Sequence, residues 1–186
     1  GTHTPSSGRI VFDGQDVTAL DAEPDHLPNF LDKLRDAGAE VEILSSGIRV
    51  KAKNGIKAVD FTTLPFPGFP TDLQAQMMSM LCVADGTSVI RESVFENRFM
   101  QVAELVRMGA SIALDGNSAI VKGVTQMSGA PVMASDLRAS AALVVAGLAA
   151  SKGETSIARV YHIDRGYERI EERLASLGAD IERVQE

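Results

Sequence analysis

The sequence predicts an α/β fold of the α+β kind: βαβαββ units about a pseudo-threefold axis, with helices inside and sheets outside. Three observations predict it. A helix-to-strand junction centred on Gly occurs three times, at Gly38, Gly109 and Gly178. A second, apolar helix with the same opening occurs twice. Aromatic residues make up only 5% and Trp is absent, so the core must be aliphatic and Ala-rich helices must fill it. A chain of 186 residues is long enough to bury such a core without disulfide or metal staples.

The elements follow in order. Residues 1–20 match the repeat poorly, although Arg9–Phe12 reads as a strand. Leu27, Phe30, Leu31 and Leu34 then share one helical face. The stretch Leu34-Arg35-Asp36-Ala37-Gly38-Ala39-Glu40-Val41 has counterparts in Leu105–Ile112 and Leu174–Ile181. Each copy has Leu four residues before the Gly, Ala one after it and a β-branched residue three after it. Gly ends a helix at little cost because it tolerates the left-handed C-cap conformation. Strands at Glu40–Leu44 and Ile48–Ala52 flank Ser46-Gly47, and strands at Ser111–Leu114 and Ala119–Lys122 flank Asp115-Gly116. Both read as β-hairpins. The paired openings are Thr71-Asp72-Leu73-Gln74-Ala75, whose helix is expected to end near Asp85-Gly86, and Ser135-Asp136-Leu137-Arg138-Ala139, whose helix is expected to end near Lys152-Gly153. Ser, Thr and Asp are good N-caps. A strand follows each helix, Thr87–Arg91 and Thr155–Val160. The expected unit is thus strand, helix, strand, helix, strand, strand. Its second copy spans residues 48–114 and its third 119–186. The first copy is incomplete, and the last hairpin does not close within the chain, which therefore reads as a piece of something larger.

Composition narrows the function. Net charge is −7 and the isoelectric point about 5.0, which argues against a nucleic-acid partner. One Cys excludes a disulfide framework and a multi-Cys zinc site. His3, His26 and His162 lie far apart and show no paired metal-ligand spacing, and no cofactor is expected. No apolar run approaches the roughly 18 residues of a membrane span, and the Ala139–Ala150 stretch reads as a buried helix. The polar opening, Gly1–Gly8, is no signal peptide. A cytoplasmic setting is the expectation.

The candidate chemistry lies at the unit junctions. Arg98 and Arg165 each precede a helix in copies two and three. Arg138 lies in the first turn of its helix, where a cation opposes the macrodipole. An anion bound at that N-terminus would supply the reason; the plainer reading pairs each Arg with a nearby carboxylate on a wet surface. Asp72 and Asp136 hold matching places. Each is either a helix cap or a base and hydrogen-bond acceptor for a substrate hydroxyl. Pro67-Gly68-Phe69-Pro70 makes a rigid, irregular approach to Asp72, the kind of loop on which sites are built. Cys82, deep in an apolar helical run, reads as an inert buried thiol. His162 reads as structural, and Met77, Met78 and Met80 as core filling.

Four stretches carry a family resemblance: Pro67–Gln76, Val94–Met100, Ser135–Ser140 and Tyr161–Ile170. In this order they resemble the signatures of the UDP-N-acetylglucosamine enolpyruvyl transferases (1-carboxyvinyltransferases), which share the EPSP synthase-like fold. The likeness covers residues 20–186. It implies an inside-out barrel domain over 21–186, one of the two domains of a larger enzyme, with 1–20 outside the pattern. It also implies transfer of enolpyruvyl from phosphoenolpyruvate to the 3-hydroxyl of UDP-N-acetylglucosamine with release of phosphate, the first committed step of peptidoglycan synthesis. By the resemblance Asp72 is the base and contacts the sugar nucleotide, and Val94 contacts the same ligand through its backbone. Arg98, Asp136, Arg138 and Arg165 surround phosphoenolpyruvate. The family's Cys-bearing loop and its Lys-Asn pair have no match here. The chain is therefore expected to be the C-terminal half of the enzyme, inactive without the other domain.

The residue types suit that chemistry. Phosphoenolpyruvate carries a phosphate and a carboxylate, and Arg binds both through paired, planar hydrogen bonds. Addition of a hydroxyl to C2 needs a base at the hydroxyl and a proton donor at C3. Two alternatives stay open: the sister transferase acting on shikimate 3-phosphate, and a non-catalytic repeat module whose arginines point to separate regions of solvent.

Overall fold

A computed structural model describes residues 17–20, 22–52 and 55–184. The expected strand at Arg9–Phe12 lies outside the described residues. The first segment holds strand β1 (Val17–Leu20), helix α1 (Pro28–Asp36) and strands β2 (Ala39–Leu44) and β3 (Gly47–Ala52). The strands form an antiparallel sheet in the order β1-β3-β2. Pro28 opens α1, where its missing N–H costs nothing. Leu31 is buried, with Phe30 and Leu34 packed against the core. The reason for the recurring Gly is visible in the backbone: Gly38, Gly109 and Gly178 take φ of +97°, +92° and +98°. A side chain there would be strained, so the junction holds only as Gly.

The second segment contains β4 (Phe61–Thr62), α2 (Gln74–Leu81), β5 (Thr87–Arg91), α3 (Val102–Arg107), β6 (Ser111–Asp115) and β7 (Ser118–Lys122). Its sheet runs β4-β5-β7-β6, with β4 parallel to β5 and the other pairs antiparallel. The third contains β8 (Met127–Ser128), β9 (Pro131–Met133), α4 (Leu137–Ala149), β10 (Ala150–Lys152), β11 (Ser156–Ala158), α5 (Tyr161–Asp164) and α6 (Ile170–Ala175). β8 pairs parallel with β10, and β9 with β11. The β9–α4–β11 crossover repeats β4–α2–β5.

Helices α2 and α4 pack on each other inside the sheets. Every residue from Ala139 to Val144 is buried, so α4 is covered on all sides, as an apolar helix must be. Ser79, on α2, is fully buried and donates to the Ala142 carbonyl of α4 at 2.9 Å, tying the two helices together.

The structure corrects the phase of the repeat. The strand expected to open copy two, Ile48–Ala52, is β3, already paired on both edges by β1 and β2. The unit opens with β4 instead, and the third with β8 and β9 rather than at Ala119. Helix α2 stops at Leu81; Cys82, Val83 and Ala84 still turn back on Met78, Met80 and Leu81, but Asp85 and Gly86 are drawn into other pairings. Asp85 donates its N–H to the Ile56 carbonyl at 2.7 Å and accepts from Ala58 at 2.9 Å. The strand expected over Thr155–Val160 shortens to Ser156–Ala158, and Arg159, at φ +62°, ends it. No strand follows Gly178 among the described residues.

Candidate functional site

The site forms where the openings of α2 and α4 meet the loop after β5. Thr71–Leu73 winds as a single 3-10 turn after the Pro-rich approach, and Leu73 is the N-cap of α2. Asp72 therefore caps nothing, and its carboxylate is free to face across the domain. Asp136 differs despite the matching sequence. Its Oδ1 accepts from the N–H groups of Arg138 and Ala139 at 2.9 and 3.0 Å, the N-cap of α4. One copy of the motif caps its helix, and the other leaves its carboxylate uncommitted to a cap.

Arg98 and Arg138 converge on Asp72 from different elements. Arg98 Nη2 donates to Asp72 Oδ1 at 2.9 Å, and Arg138 Nη2 donates to Oδ2 at 2.6 Å. The Asp72 side chain is 52% exposed, against 19% for Arg98 and 32% for Arg138. The carboxylate faces solvent while the guanidiniums sit behind it. The hydrogen bond from Arg138, foremost, with the charges of Arg138 and Arg98, holds the Asp72 carboxyl below the ordinary carboxylate range against an opposing desolvation. Arg138 is pushed up, chiefly by the same hydrogen bond. Phe95 places its ring 5.0 Å from the Arg98 guanidinium carbon, a cation–π contact that fixes the side chain from the other side.

Val94 lies in the loop after β5, half exposed beside an open groove of ≈ 720 Å³ that Phe95, Asn97, Met100 and the Gly116-Asn117 turn also line. Its N–H is already engaged by Glu92 Oε1 at 2.9 Å. Arg165 does not precede a helix directly. It follows α5, exposed, and makes no contact with Asp72, Arg98 or Arg138. The next residues bring that turn to the site: Gly166 lies against the Leu137 side chain, and the Tyr167 hydroxyl accepts from Gln76 Nε2 at 3.1 Å. The structure thus joins Asp72, Arg98 and Arg138 in one contact, gives Asp136 a capping role at its edge, and leaves Val94 and Arg165 on flanking loops.

Two participants were not singled out from the sequence. Thr71 accepts from Arg98 Nη1 at 3.2 Å and donates to Glu92 Oε2 at 2.9 Å. Glu92 is only 4% exposed. A signal existed: Ser88, Ile90 and Glu92 share one strand parity, so a carboxylate stands in phase with the buried face of β5.

The remaining candidates are where the residue types predict. Cys82 is fully buried, and burial pushes its thiol up to about 12. The His162 ring lies tilted against Tyr161, their centroids 4.3 Å apart. Among the described residues no cluster of His, Cys, Asp and Glu could hold a metal ion, and no helix is long and apolar enough to cross a membrane.

Comparison with known proteins adds three findings. The family described as EPSP synthase (3-phosphoshikimate 1-carboxyvinyltransferase) matches residues 4–174. The chain is similar to the UDP-N-acetylglucosamine 1-carboxyvinyltransferase of Magnetococcus marinus, 60% identical over 92% of this chain and 41% of that protein. The enzyme of the same name from Anaeromyxobacter sp. (strain Fw109-5) is 62% identical over 91% of this chain and 40% of its own length. The chain spans about two-fifths of the length of these curated relatives. Among solved structures, the enolpyruvyl transferase NikO from Streptomyces tendae superposes with a TM-score of 0.82 at 28% identity, covering 92% of this chain and 40% of that one. An EPSP synthase from Acinetobacter baumannii shares the fold, with a TM-score of 0.54 at 20% identity over 85% of this chain and 38% of that one.

Proposed function

The chain belongs to the EPSP synthase family, and from that premise we propose that it is one domain of a UDP-N-acetylglucosamine enolpyruvyl transferase, with the expected start at residue 21 moved earlier to take in β1 (Val17–Leu20), which pairs with β3. The observation that carries the reading is the convergence of Arg98 and Arg138 on one solvent-facing carboxylate, Asp72. Two guanidiniums are a receptor for a doubly anionic substrate, and a carboxylate between them is a base beside it. Separate solvent regions for Arg98, Arg138 and Arg165 would favour the non-catalytic alternative; Arg98 and Arg138 instead meet at Asp72, while Arg165 stands apart on the α5 turn.

In this reading phosphoenolpyruvate takes up Arg98 and Arg138, with Arg165 closing from the α5 turn. The cap made by Asp136 holds the first turn of α4, and so Arg138, in place. The Val94 carbonyl meets the sugar nucleotide. Asp72 receives the proton of the 3-hydroxyl as its oxygen bonds to C2 of phosphoenolpyruvate. C3 gains a proton from a donor outside this chain. The tetrahedral adduct then loses phosphate from C2 and a proton from C3, which restores the double bond in the enolpyruvyl ether. No cofactor enters the balance. The product places the enzyme in peptidoglycan synthesis, in the cytoplasm, with the rest of the enzyme as this domain's partner.

The test is phosphate release by the full-length protein from phosphoenolpyruvate with UDP-N-acetylglucosamine, shikimate 3-phosphate or neither as acceptor. Release with the sugar nucleotide alone is expected, and Asp72→Asn should slow it by about 10²–10⁴. Release only with shikimate 3-phosphate would assign the sister activity. No release with either acceptor would remove the catalytic reading.

A further inference from the structure

We propose that Glu92 is a positioning residue of this site: a buried carboxylate that sets the polarity of Thr71 and, through it, the aim of Arg98. The inference rests on the transferase reading above.

Glu92 gathers four donors from three segments. Its Oε1 accepts from Thr63 Oγ1 at 2.6 Å and from the N–H groups of Val94 and Phe95 at 2.9 and 3.0 Å. Its Oε2 accepts from Thr71 Oγ1 at 2.9 Å. No cation lies among these partners, so the buried charge is met by hydrogen-bond donors alone, an arrangement that neutral residues would reproduce less well. One carboxylate thereby holds the end of β4, the turn that carries Asp72 and the loop that carries Val94.

The hydroxyl arithmetic gives the link its direction. Thr has one O–H hydrogen. With that hydrogen committed to Glu92, the Thr71 oxygen turns its lone pairs outward, where Arg98 Nη1 donates at 3.2 Å. Arg98 is then held at Thr71 by one nitrogen and at Asp72 by the other. Thr63 behaves likewise: its hydrogen goes to Glu92, and its oxygen accepts the Ser93 N–H at 3.0 Å.

Glu92→Gln separates the two arms. An amide has one accepting end. The N–H groups of Val94 and Phe95 cannot turn away, whereas the Thr71 hydroxyl can rotate. The oxygen of the introduced amide therefore stays with the 94–95 loop and its NH2 faces Thr71. The Thr71 oxygen is then taken up by a new donor, and its hydrogen is released towards Arg98. The phosphoenolpyruvate arm is disturbed and the Val94 arm is kept. Charge removal alone works the other way, since losing a negative group near the arginines would tighten anion binding.

The experiment is steady-state kinetics of the full-length protein carrying Glu92→Gln, Thr71→Val, Thr71→Ser or the double Glu92→Gln/Thr71→Val substitution. Amide hydrogen exchange at Val94 and Phe95 is followed alongside. The KM for phosphoenolpyruvate should rise about tenfold in Glu92→Gln and in Thr71→Val, as for one lost charge-assisted hydrogen bond. The KM for UDP-N-acetylglucosamine should change less than about twofold, on the additivity limits for separated sites. Thr71→Ser should restore the parent value, and the double variant should be no worse than Thr71→Val. Protection of Val94 and Phe95 should persist in Glu92→Gln. Equal losses for both substrates, a lower KM for phosphoenolpyruvate, or losses that multiply in the double variant would each overturn the proposal. A parent protein that releases no phosphate would instead overturn the transferase reading. In that event phosphate-induced NMR shifts of the Arg98 side-chain N–H groups, weakened by Thr71→Val and restored by Thr71→Ser, still decide the role of the link.

Discussion

Asp72→Asn separates the two things the carboxylate does. The carboxylate occupies both guanidiniums, so an incoming anion must displace it. Its side chain is half exposed, which puts the interaction near the solvent end of the dielectric range. At a separation of about 4 Å a pair of unit charges is then worth about 1 kcal/mol, and salt screens part of that. With contacts at 2.9 and 2.6 Å to Arg98 and Arg138, neutralising Asp72 should release about 1–2 kcal/mol in favour of an added anion. That corresponds to roughly five- to thirty-fold tighter binding. The assay is calorimetric titration of the full-length parent and Asp72→Asn proteins with inorganic phosphate and with phosphoenolpyruvate, at low and high ionic strength. The variant should bind both anions more tightly, with the gain shrinking in salt, while its turnover falls by about 10²–10⁴, as for a lost general base. Equal or weaker anion binding by Asp72→Asn would refute the idea that the carboxylate stands where the anion goes.

Other expectations follow from the same structure. Cys82, fully buried and with its thiol pushed up to about 12, should resist alkylating and disulfide reagents at neutral pH in the native protein and react once it is denatured. Arg183 donates to Asp164 at 2.6 Å and to Glu171 at 2.7 Å and holds both carboxyls below their ordinary values, so Arg183→Gln should move both titrations upward in a carboxyl-carbon NMR experiment. Groups with lowered folded-state pKa stabilise the fold above the ordinary carboxylate range and lose that contribution as pH falls through the folded value. The parent's advantage over Arg183→Gln should therefore be full at neutral pH and vanish in strong acid. The same sign rule applied to Asp72 predicts that the acid limb of kcat/KM for phosphoenolpyruvate lies at lower pH than the acid limb of kcat. A pH–rate series checks this, and coincident limbs would count against it.

Much of the fold can be read from local chemistry, and what cannot be read is non-local. The three Gly junctions announce themselves because a positive φ is costly for any other residue. The hairpins β2–β3 and β6–β7 follow from Gly turns between strand-like runs. The unit phase does not follow. Its opening strands are only two residues, Phe61–Thr62, and three, Pro131–Met133, too short for any alternation to register. Their identity comes from parallel pairing with β5 and β11, a long-range fact. The site shows the same division. Arg98 and Arg138 are visible as cations at unit junctions, and Asp72 as either a helix cap or a base. The divergence of Asp72 from Asp136 is not visible, because nearly identical pentapeptides wind differently: one starts a helix at its Asp, and the other makes a 3-10 turn whose Thr is spent on Glu92. Glu92 itself was legible by strand parity.

In the transferase reading, a base flanked by two cations poses a tension. The arginines that collect the anion are the groups that hold Asp72 ionised and make it a reluctant proton acceptor. Geometry offers the way out. Each guanidinium has more donors than the single bond it gives Asp72, and an anion with two acceptor groups competes for those same planar forks. As phosphoenolpyruvate takes up Arg138, the largest of the forces lowering the Asp72 carboxyl is withdrawn. Basicity then rises only when the electrophile is in place. While Arg98 and Arg138 are bonded to Asp72, the carboxylate is quenched by its own receptor. With the site full, the receptor is busy and the carboxylate is left with the sugar hydroxyl. Fixing Arg98 through Thr71 and Glu92 matters for the same reason: if both guanidiniums could follow Asp72 freely, anion capture and release of the base would no longer be coupled.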